Sequence, residues 1–393
     1  MHIPQTARAK PIQLLLSLIV LFFALLYFIA FGYFGLFRSA DFGFDFEVFH
    51  TAGQRMLSGQ DPWLAAIGEA AFSYPPNISS VLLLFGALPF HIALALQSLA
   101  SILAIGSLVL LANLTFLRIE TLSDLTTKKS LCISALIASP FGAHIFFMGQ
   151  FSLITTACAL WAWHLSRGSS VIWAGVLLGV ASIKPQICFL LVVWFLLEGK
   201  FKIVLIGGLV GVLMAVPAFV MLGVIGAISS WIQSMTYYLS VPFNQAGFQH
   251  VVGLDSLFVA LGVANLGLVF RLAGIAAFIL LFLRRHAFSE MTTLFLIFSI
   301  SLTFFYGHDY DYIMVVPMMS YLLLLAFNQS RWLSTAVGIG LIFLFWLPQR
   351  FLRDIDFDAI LHWRTVVLIL CSILLIWWER QQRQEGAQAV PAQ

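Results

Sequence analysis

Charge is what this 393-residue chain has least of. Asp, Glu, Lys and Arg together make up 9% of it, against roughly a quarter in a soluble domain, so a soluble globular fold is excluded. Cysteine is also scarce. The four present, Cys132, Cys158, Cys188 and Cys371, all fall in apolar runs and none has metal-ligand spacing, which excludes a disulfide framework. No Walker motif, dinucleotide fingerprint, G-x-S-x-G or H-E-x-x-H occurs. No soluble domain, low-complexity linker or repeat is visible. No cofactor, metal site or nucleic-acid partner is expected.

What the chain has instead is apolar length. Hydrophobic residues make up 61%, with 38 Phe and 11 Trp. Many runs reach the roughly 20 residues that cross about 30 Å of hydrocarbon, and they do not alternate as barrel strands would. The expected fold class is an all-α polytopic membrane protein. Spans are expected at 12–34, 77–114 (with a break near Pro89), 131–148, 150–166, 170–183, 185–198, 203–228, 254–282, 289–305, 312–327, 333–347 and 359–378. That makes about twelve transmembrane helices with both termini on one side. The alternative path takes 77–114 as two crossings and 170–198 as one. The first run is too long for a signal-peptide core and lacks a small-residue cleavage site, so it stays as a span.

Charge bias orients the path. With a cytoplasmic N-terminus, thirteen basic residues fall inside and four outside, Arg38, Arg55, Arg350 and Arg353. The outer loops are then 35–76, 229–252, about 306–311 and 348–358. The chain reads as one integral-membrane domain over 1–393: the span 12–34, the outer loop 35–76, the remaining spans 77–378, and a polar, disordered cytoplasmic tail from 379 to 393.

The loop 35–76 carries the densest polar chemistry. Five of the 17 carboxylates lie between Asp41 and Glu69. Over 45–58, helical spacing puts Phe46, Phe49, Gly53, Met56 and Leu57 on one face, which predicts a short amphipathic helix lying in the interface. Gly59, Asp61 and Pro62 turn the chain, and Tyr74-Pro75-Pro76 stiffens its return. A carboxylate at a membrane boundary can take a proton from an attacking hydroxyl, and burial among phenylalanines raises its pKa. Asp45 is therefore a candidate base, although residue type alone favours the plainer reading of an N-cap of the interfacial helix. Asp41 and Asp61 read as solvated or turn residues.

Three further positions stand out. His308, in Tyr306-Gly307-His308-Asp309-Tyr310-Asp311, can donate to a phosphate and carry a proton, with Asp309 or Asp311 orienting its ring; the plain alternative is an interfacial turn in an aromatic belt. Lys184 stands inside an apolar run, where a charge costs roughly 2.5–3.5 kcal/mol. It faces a cavity or a partner unless Pro185 starts a new helix and lets it snorkel. Gln150, after Gly149, is a weaker case of the same kind.

These pieces together resemble glycosyltransferase family 87. The matching stretches are Asp45-Phe46-Glu47-Val48-Phe49 leading to Leu57-Ser58-Gly59-Gln60-Asp61-Pro62-Trp63, then Phe72-Ser73-Tyr74-Pro75-Pro76, Gly149-Gln150, Ala174-Gly175 through Ile183-Lys184-Pro185, and His308 before Tyr312–Pro317. They cover roughly residues 40–320 in the family's order. The resemblance implies a GT-C type fold and a mannosyltransferase that takes its hexose from a polyprenyl-phosphate-linked donor and passes it to a lipid or glycan acceptor. It implies Asp45 as general base in an inverting, metal-independent transfer, and His308 near the donor phosphate. The motif match implies a place in the site for Lys184 and Gln150, and Tyr74 lies in a matching stretch; with Arg55, whose charge can stabilise a leaving phosphate, they are the expected donor-phosphate or substrate-binding residues. The chain departs from the family in having Phe49 where tyrosine is common. The implied location is a bacterial inner (plasma) membrane, multi-pass, with membrane lipids around it and the active site extracytoplasmic.

The rival class is a secondary transporter or flippase for a small solute or lipid-linked glycan. About twelve spans, glycine-rich helices and an intramembrane Lys184 permit it. The repeat symmetry common in transporters is not visible, and a long acidic first loop is unusual for them. A lipid-carrier ligase is a third reading.

Overall fold

A computed structural model describes residues 5–36, 40–64, 66–67, 70–263, 266–329, 331–352 and 354–388. Arg38, Glu69 and Arg353, which entered the sequence reading, lie outside the described residues. Among the described residues the structure is mostly helical, with two ladders of two-residue strands, β1 (Ala66–Ile67) with β2 (Ala70–Ala71) and β3 (Val251–Val252) with β4 (Gly307–His308). Among those residues six helical stretches are long and apolar enough to cross a membrane, including Pro11–Tyr33, Phe90–Leu117, Thr127–Met148 and Phe201–Ser240; six more apolar helices are shorter. The chain is an all-α integral membrane protein.

Backbone contacts divide it into two compact units, one holding Phe23–Leu114 and Ile137–Gln245, the other Met1–Phe22, Thr115–Leu136 and Ala246–Gln393. The first helix, α1 (Gln5–Phe28), is followed in the first unit by α2 (Phe44–Leu57), α3 (Ser79–Gly86) and α4 (Phe90–Ala112). Between α3 and α4 the 77–114 run breaks where expected, because Pro89 cannot donate into a helix. α5 (Thr127–Ile137) comes next in the chain but belongs, as far as Leu136, to the other unit; the first unit resumes with α6 (Pro140–Met148), α7 (Ser152–Leu165), α8 (Val171–Ala181), α9 (Pro185–Leu197) and α10 (Phe201–Ser240). The run 170–198 is two helices, separated at Ser182–Lys184.

One expected loop is corrected. Residues 229–240 belong to α10, so the outer segment 229–252 is not a loop over its first half. Gly223 adopts φ 70°, ψ 160°, a non-helical conformation open to glycine, so α10 is two helices joined across a kink, and the second runs on to Ser240, two residues before Pro242.

Small residues let the helices of this unit approach closely. A Cβ at Gly179 of α8 would stand 2.6 Å from Val210 Cβ and 2.8 Å from Gly207 O of α10. A Cβ at Gly53 of α2 would stand 2.2 Å from Leu82 O of α3, so those two backbones touch. The amphipathic helix forms, with Phe46, Phe49, Gly53 and Met56 buried. Leu57 departs from this: it lies in the same arc but is the last helical residue, and it is 53% exposed. Under α2 the rings of Phe46, Phe49, Phe72, Phe85 and Phe151 join Ile78 and Leu82 in one apolar cluster.

The other unit contains α11 (Leu254–Ala260), α12 (Gly267–Leu283), α13 (Glu290–Phe304), α14 (Val316–Phe327), α15 (Trp332–Trp346) and α16 (Trp363–Gln388). Two expectations change. The run 254–282 is two helices, with Gly262 at φ 77° closing the first. The polar tail after Arg380 continues α16 to Gln388. Arg364 closes α15 by donating to the carbonyls of Phe345 and Leu347, at 3.2 and 2.8 Å.

Candidate active site

The first unit builds its polar cluster on helix ends. α6 stops at Gly149, which takes φ 73°. The Gly149 amide donates to Phe146 O at 3.3 Å and the Gln150 amide to Ile145 O at 3.0 Å, the paired bonds of a Schellman turn. A side chain at 149 would be strained in that conformation, and its Cβ would lie 2.6 Å from Phe46 Cβ. The same helix end receives α2, whose leading Gly43 donates to Phe147 O at 2.8 Å. Two turns distant in sequence are thereby fixed side by side.

Asp45 comes out in the first turn of α2, where the helix dipole favours a carboxylate. It is not the N-cap; Gly43 holds that position. Its Oδ2 instead accepts from Gln150 Nε2 at 2.5 Å. Gln150 Oε1 in turn accepts from the Tyr74 hydroxyl at 2.8 Å, and the Tyr74 carbonyl accepts from Trp63 Nε1 at 2.8 Å. The amide of Gln150 thus spans a carboxylate and a phenol, each satisfying one end.

Lys184 closes the cluster. Pro185 starts α9 as expected, but Lys184 does not snorkel; it is 2% exposed and its ammonium donates to Ser152 Oγ at the head of α7. It also acts on Asp45 by charge. Burial raises the half-buried Asp45 carboxyl above the ordinary carboxylate range, while the Gln150 bond and the Lys184 charge pull it part of the way back. A base held in this way accepts a proton more readily than a solvated aspartate.

An apolar groove of about 460 Å³ adjoins these segments. Pro75, which follows Tyr74, and Pro185, which follows Lys184, both line it, with Asn77, Ser182, Gly208 and Trp231. Asn77 Nδ2 donates to Ser182 Oγ at 2.7 Å. The profile of glycosyltransferase family 87 matches residues 72–305, well over half of the chain. The chain belongs to glycosyltransferase family 87. No curated protein matches it. This membrane glycosyltransferase carries Tyr74, Gln150 and Lys184 inside the matched stretch, whereas Asp45 and His308 lie outside its two ends.

The other predicted site residues fall elsewhere. Arg55 is ten residues beyond Asp45 on α2, about 15 Å along the axis at 1.5 Å per residue; its Nε donates to Asp61 O at 3.1 Å and helps shape the turn after the helix. Asp61 is the turn residue expected, accepting from the Trp63 amide at 2.8 Å. His308 belongs to the other unit. Its Nε2 meets the Tyr306 hydroxyl at 3.0 Å, its ring stacks on Tyr310, and its backbone amide donates to Asp311 Oδ2 at 3.1 Å. Asp309 turns to a residue the sequence reading did not consider, pairing with His250 Nδ1 at 3.1 Å.

Ser152, Asn77 and Ser182 were also missed. Each is a small polar residue beside a helix breaker, a signal too common to single them out. Among the described residues no three His, Cys, Asp or Glu side chains are grouped to hold a metal ion.

Proposed function

We propose that this family member transfers a hexose, mannose on the family resemblance, from a polyprenyl-phosphate donor to a lipid or glycan acceptor. The fold assigned to it is of GT-C type, and the site faces the extracytoplasmic side of a bacterial inner membrane, as the bias in basic residues suggests. Asp45 takes the proton of the acceptor hydroxyl as its oxygen attacks the anomeric carbon. The bond from that carbon to the phosphate oxygen breaks, and the polyprenyl phosphate leaves with the electron pair. One in-line displacement inverts the configuration.

The observation that carries this reading is the Asp45 carboxylate held by the Gln150 amide beside the buried Lys184 ammonium. A base and a fixed positive charge meet the two needs of the reaction, proton removal and stabilisation of the leaving phosphate. Lys184 supplies that charge without a metal. The groove along Pro75 and Pro185 supports a lipid donor, since each CH₂ kept from water contributes about 0.8 kcal/mol. In a polyprenyl phosphate the charge sits directly at the head of the tail, which suits a groove whose wall begins one residue from Lys184. His308 as a donor to the phosphate is the part of the proposal that rests on sequence resemblance alone.

The test offers purified protein in liposomes either a prenyl-phosphate sugar or a nucleotide sugar, with and without chelator. Transfer from the lipid donor, in chelator, is expected. Efficient transfer from the nucleotide sugar with no lipid donor, or a strict need for a divalent ion, would overturn the donor reading.

A further inference from the structure

The buried face of α4 carries one amide where every neighbouring function would be served by an apolar side chain. Gln97 is 1% exposed and sits in the run Ala93, Leu94, Gln97, Ser101, Ala104, Leu108, all buried. Its Nε2 donates to Gln150 O at 3.1 Å and reaches Gly149 O at 3.5 Å. Its Oε1 is buried with no hydrogen-bond partner among the described residues. A lone buried acceptor of this kind costs about 1–3 kcal/mol, so stability is a poor reason for an amide here. The amide orientation is not free either: turned over, its oxygen would face two carbonyls.

We infer that Gln97 is a positioning residue for the transfer: it clamps the carbonyl side of the Gly149–Gln150 turn so that the Gln150 side chain stays aimed at Asp45. The turn has its amide side satisfied within α6 and its carbonyl side satisfied by Gln97. Gln150 has no other rigid anchor, because its two side-chain bonds go to the residues it orients. The inference rests on Asp45 being the base. It adds a residue that touches neither substrate nor Asp45 and acts 53 positions away in sequence.

Loosening the turn weakens the bond that stabilises ionised Asp45. The other titratable groups that bear on Asp45 are Lys184 and, through Gln150, Tyr74. Of the helices packed on α2, α3 has no titratable side chain, α4 has the exposed His91 and α6 the half-buried His144. None of these is altered by a change at 97.

The experiment compares Gln97→Met, which keeps length and apolarity but removes the donor, with Ser101→Ala. Ser101 lies one turn further along the same face, its hydroxyl is also buried without a partner, and it does not reach the turn. Gln97→Met is expected to lower kcat by tens of fold, up to about 10² for a misplaced group, with donor KM little changed. The acid limb of its kcat profile should move up by on the order of one pH unit as the stabilising bond is lost. Melting temperature should hold, and Ser101→Ala should match wild type in all three. An unmoved acid limb, or a loss of rate matched by a loss of folded protein, would overturn the inference. Asp45→Asn is run in parallel. If it stays active, the base reading itself fails; if it is dead while Gln97→Met behaves as wild type, only the role of Gln97 fails.

Discussion

Asp45 and His308 are each held by hydrogen bonds and rings, but their partners come from different distances along the chain. The His308 side chain meets residues two positions away, Tyr306 and Tyr310, and its amide meets Asp311, three away, while its backbone pairs with Val251 of β3 and His250 pairs with its neighbour Asp309. Asp45 is fixed by Gln150, 105 positions away, and that glutamine by Tyr74 and Gln97, 76 and 53 positions from it. The ring contacts of His308 stay within one turn, and that turn is docked on β3. The Asp45 cluster exists only when α2, α4 and α6 are packed. A buried base therefore depends on tertiary contacts that a short motif cannot supply, and the two clusters should respond differently to substitution.

The largest effect is expected at Asp45. Asp45→Asn keeps size and removes the base, so transfer should fall by about 10²–10⁴-fold. Its folding should not suffer. Burial raises the Asp45 carboxyl in the folded state, so above the ordinary carboxylate range the ionised form costs stability, and asparagine removes that cost. A melting temperature equal to or above wild type is expected. Near wild-type turnover would return Asp45 to a structural role. The same raised carboxyl sets the pH profile: the base is lost as pH falls through its raised value, so the acid limb of kcat/KM in the wild type should lie above the ordinary aspartate range. An acid limb at or below that range would count against a buried base.

Lys184→Met is expected next, at about 10²-fold in kcat, the size seen when one stabilising donor is removed. It should also move the acid limb upward, since the lysine charge favours ionised Asp45. Loss of rate without movement of the limb would separate Lys184 from the carboxylate. His308→Ala should raise the KM for donor several-fold and leave that for acceptor unchanged, with folding intact because the β3–β4 pairing runs through the backbone and survives loss of the ring. Equal loss for both substrates, or none, would remove the phosphate role. The smallest effect is expected from Tyr74→Phe. It keeps the ring packed on Phe49, 4.9 Å away, and removes one hydrogen bond worth about 1 kcal/mol, or roughly fivefold. A loss as large as that of Lys184→Met would mean that the hydroxyl itself meets substrate.

Much of the molecule was legible because its signals are local. Hydropathy gives the class, since the apolar runs lack the alternation of barrel strands and a helix then satisfies the backbone of a lipid-crossing segment. The amphipathic spacing of Phe46, Phe49, Gly53 and Met56 gives α2. Pro89 and Pro185 mark helix breaks because proline removes a donor. Lys184 announces itself by the cost of a charge among apolar residues. Misreadings arose where a second helix follows a kink directly, as after Gly223, or where a residue type favours a local role, as with Asp45 and the N-cap.

The amino-acid sequence alone thus determined an all-α membrane protein, an amphipathic helix after the first long apolar run, and a short set of polar residues too costly to be accidental. Tertiary structure decided which of those residues meet. It set Gln150 rather than an N-cap bond against Asp45, turned Lys184 to Ser152 rather than to the interface, and brought Gln97 onto the carbonyls of the Gly149 turn. The reason is that a hydropathy run or a breaker is a property of neighbouring residues, whereas a buried polar group must find its partner wherever helix packing brings one.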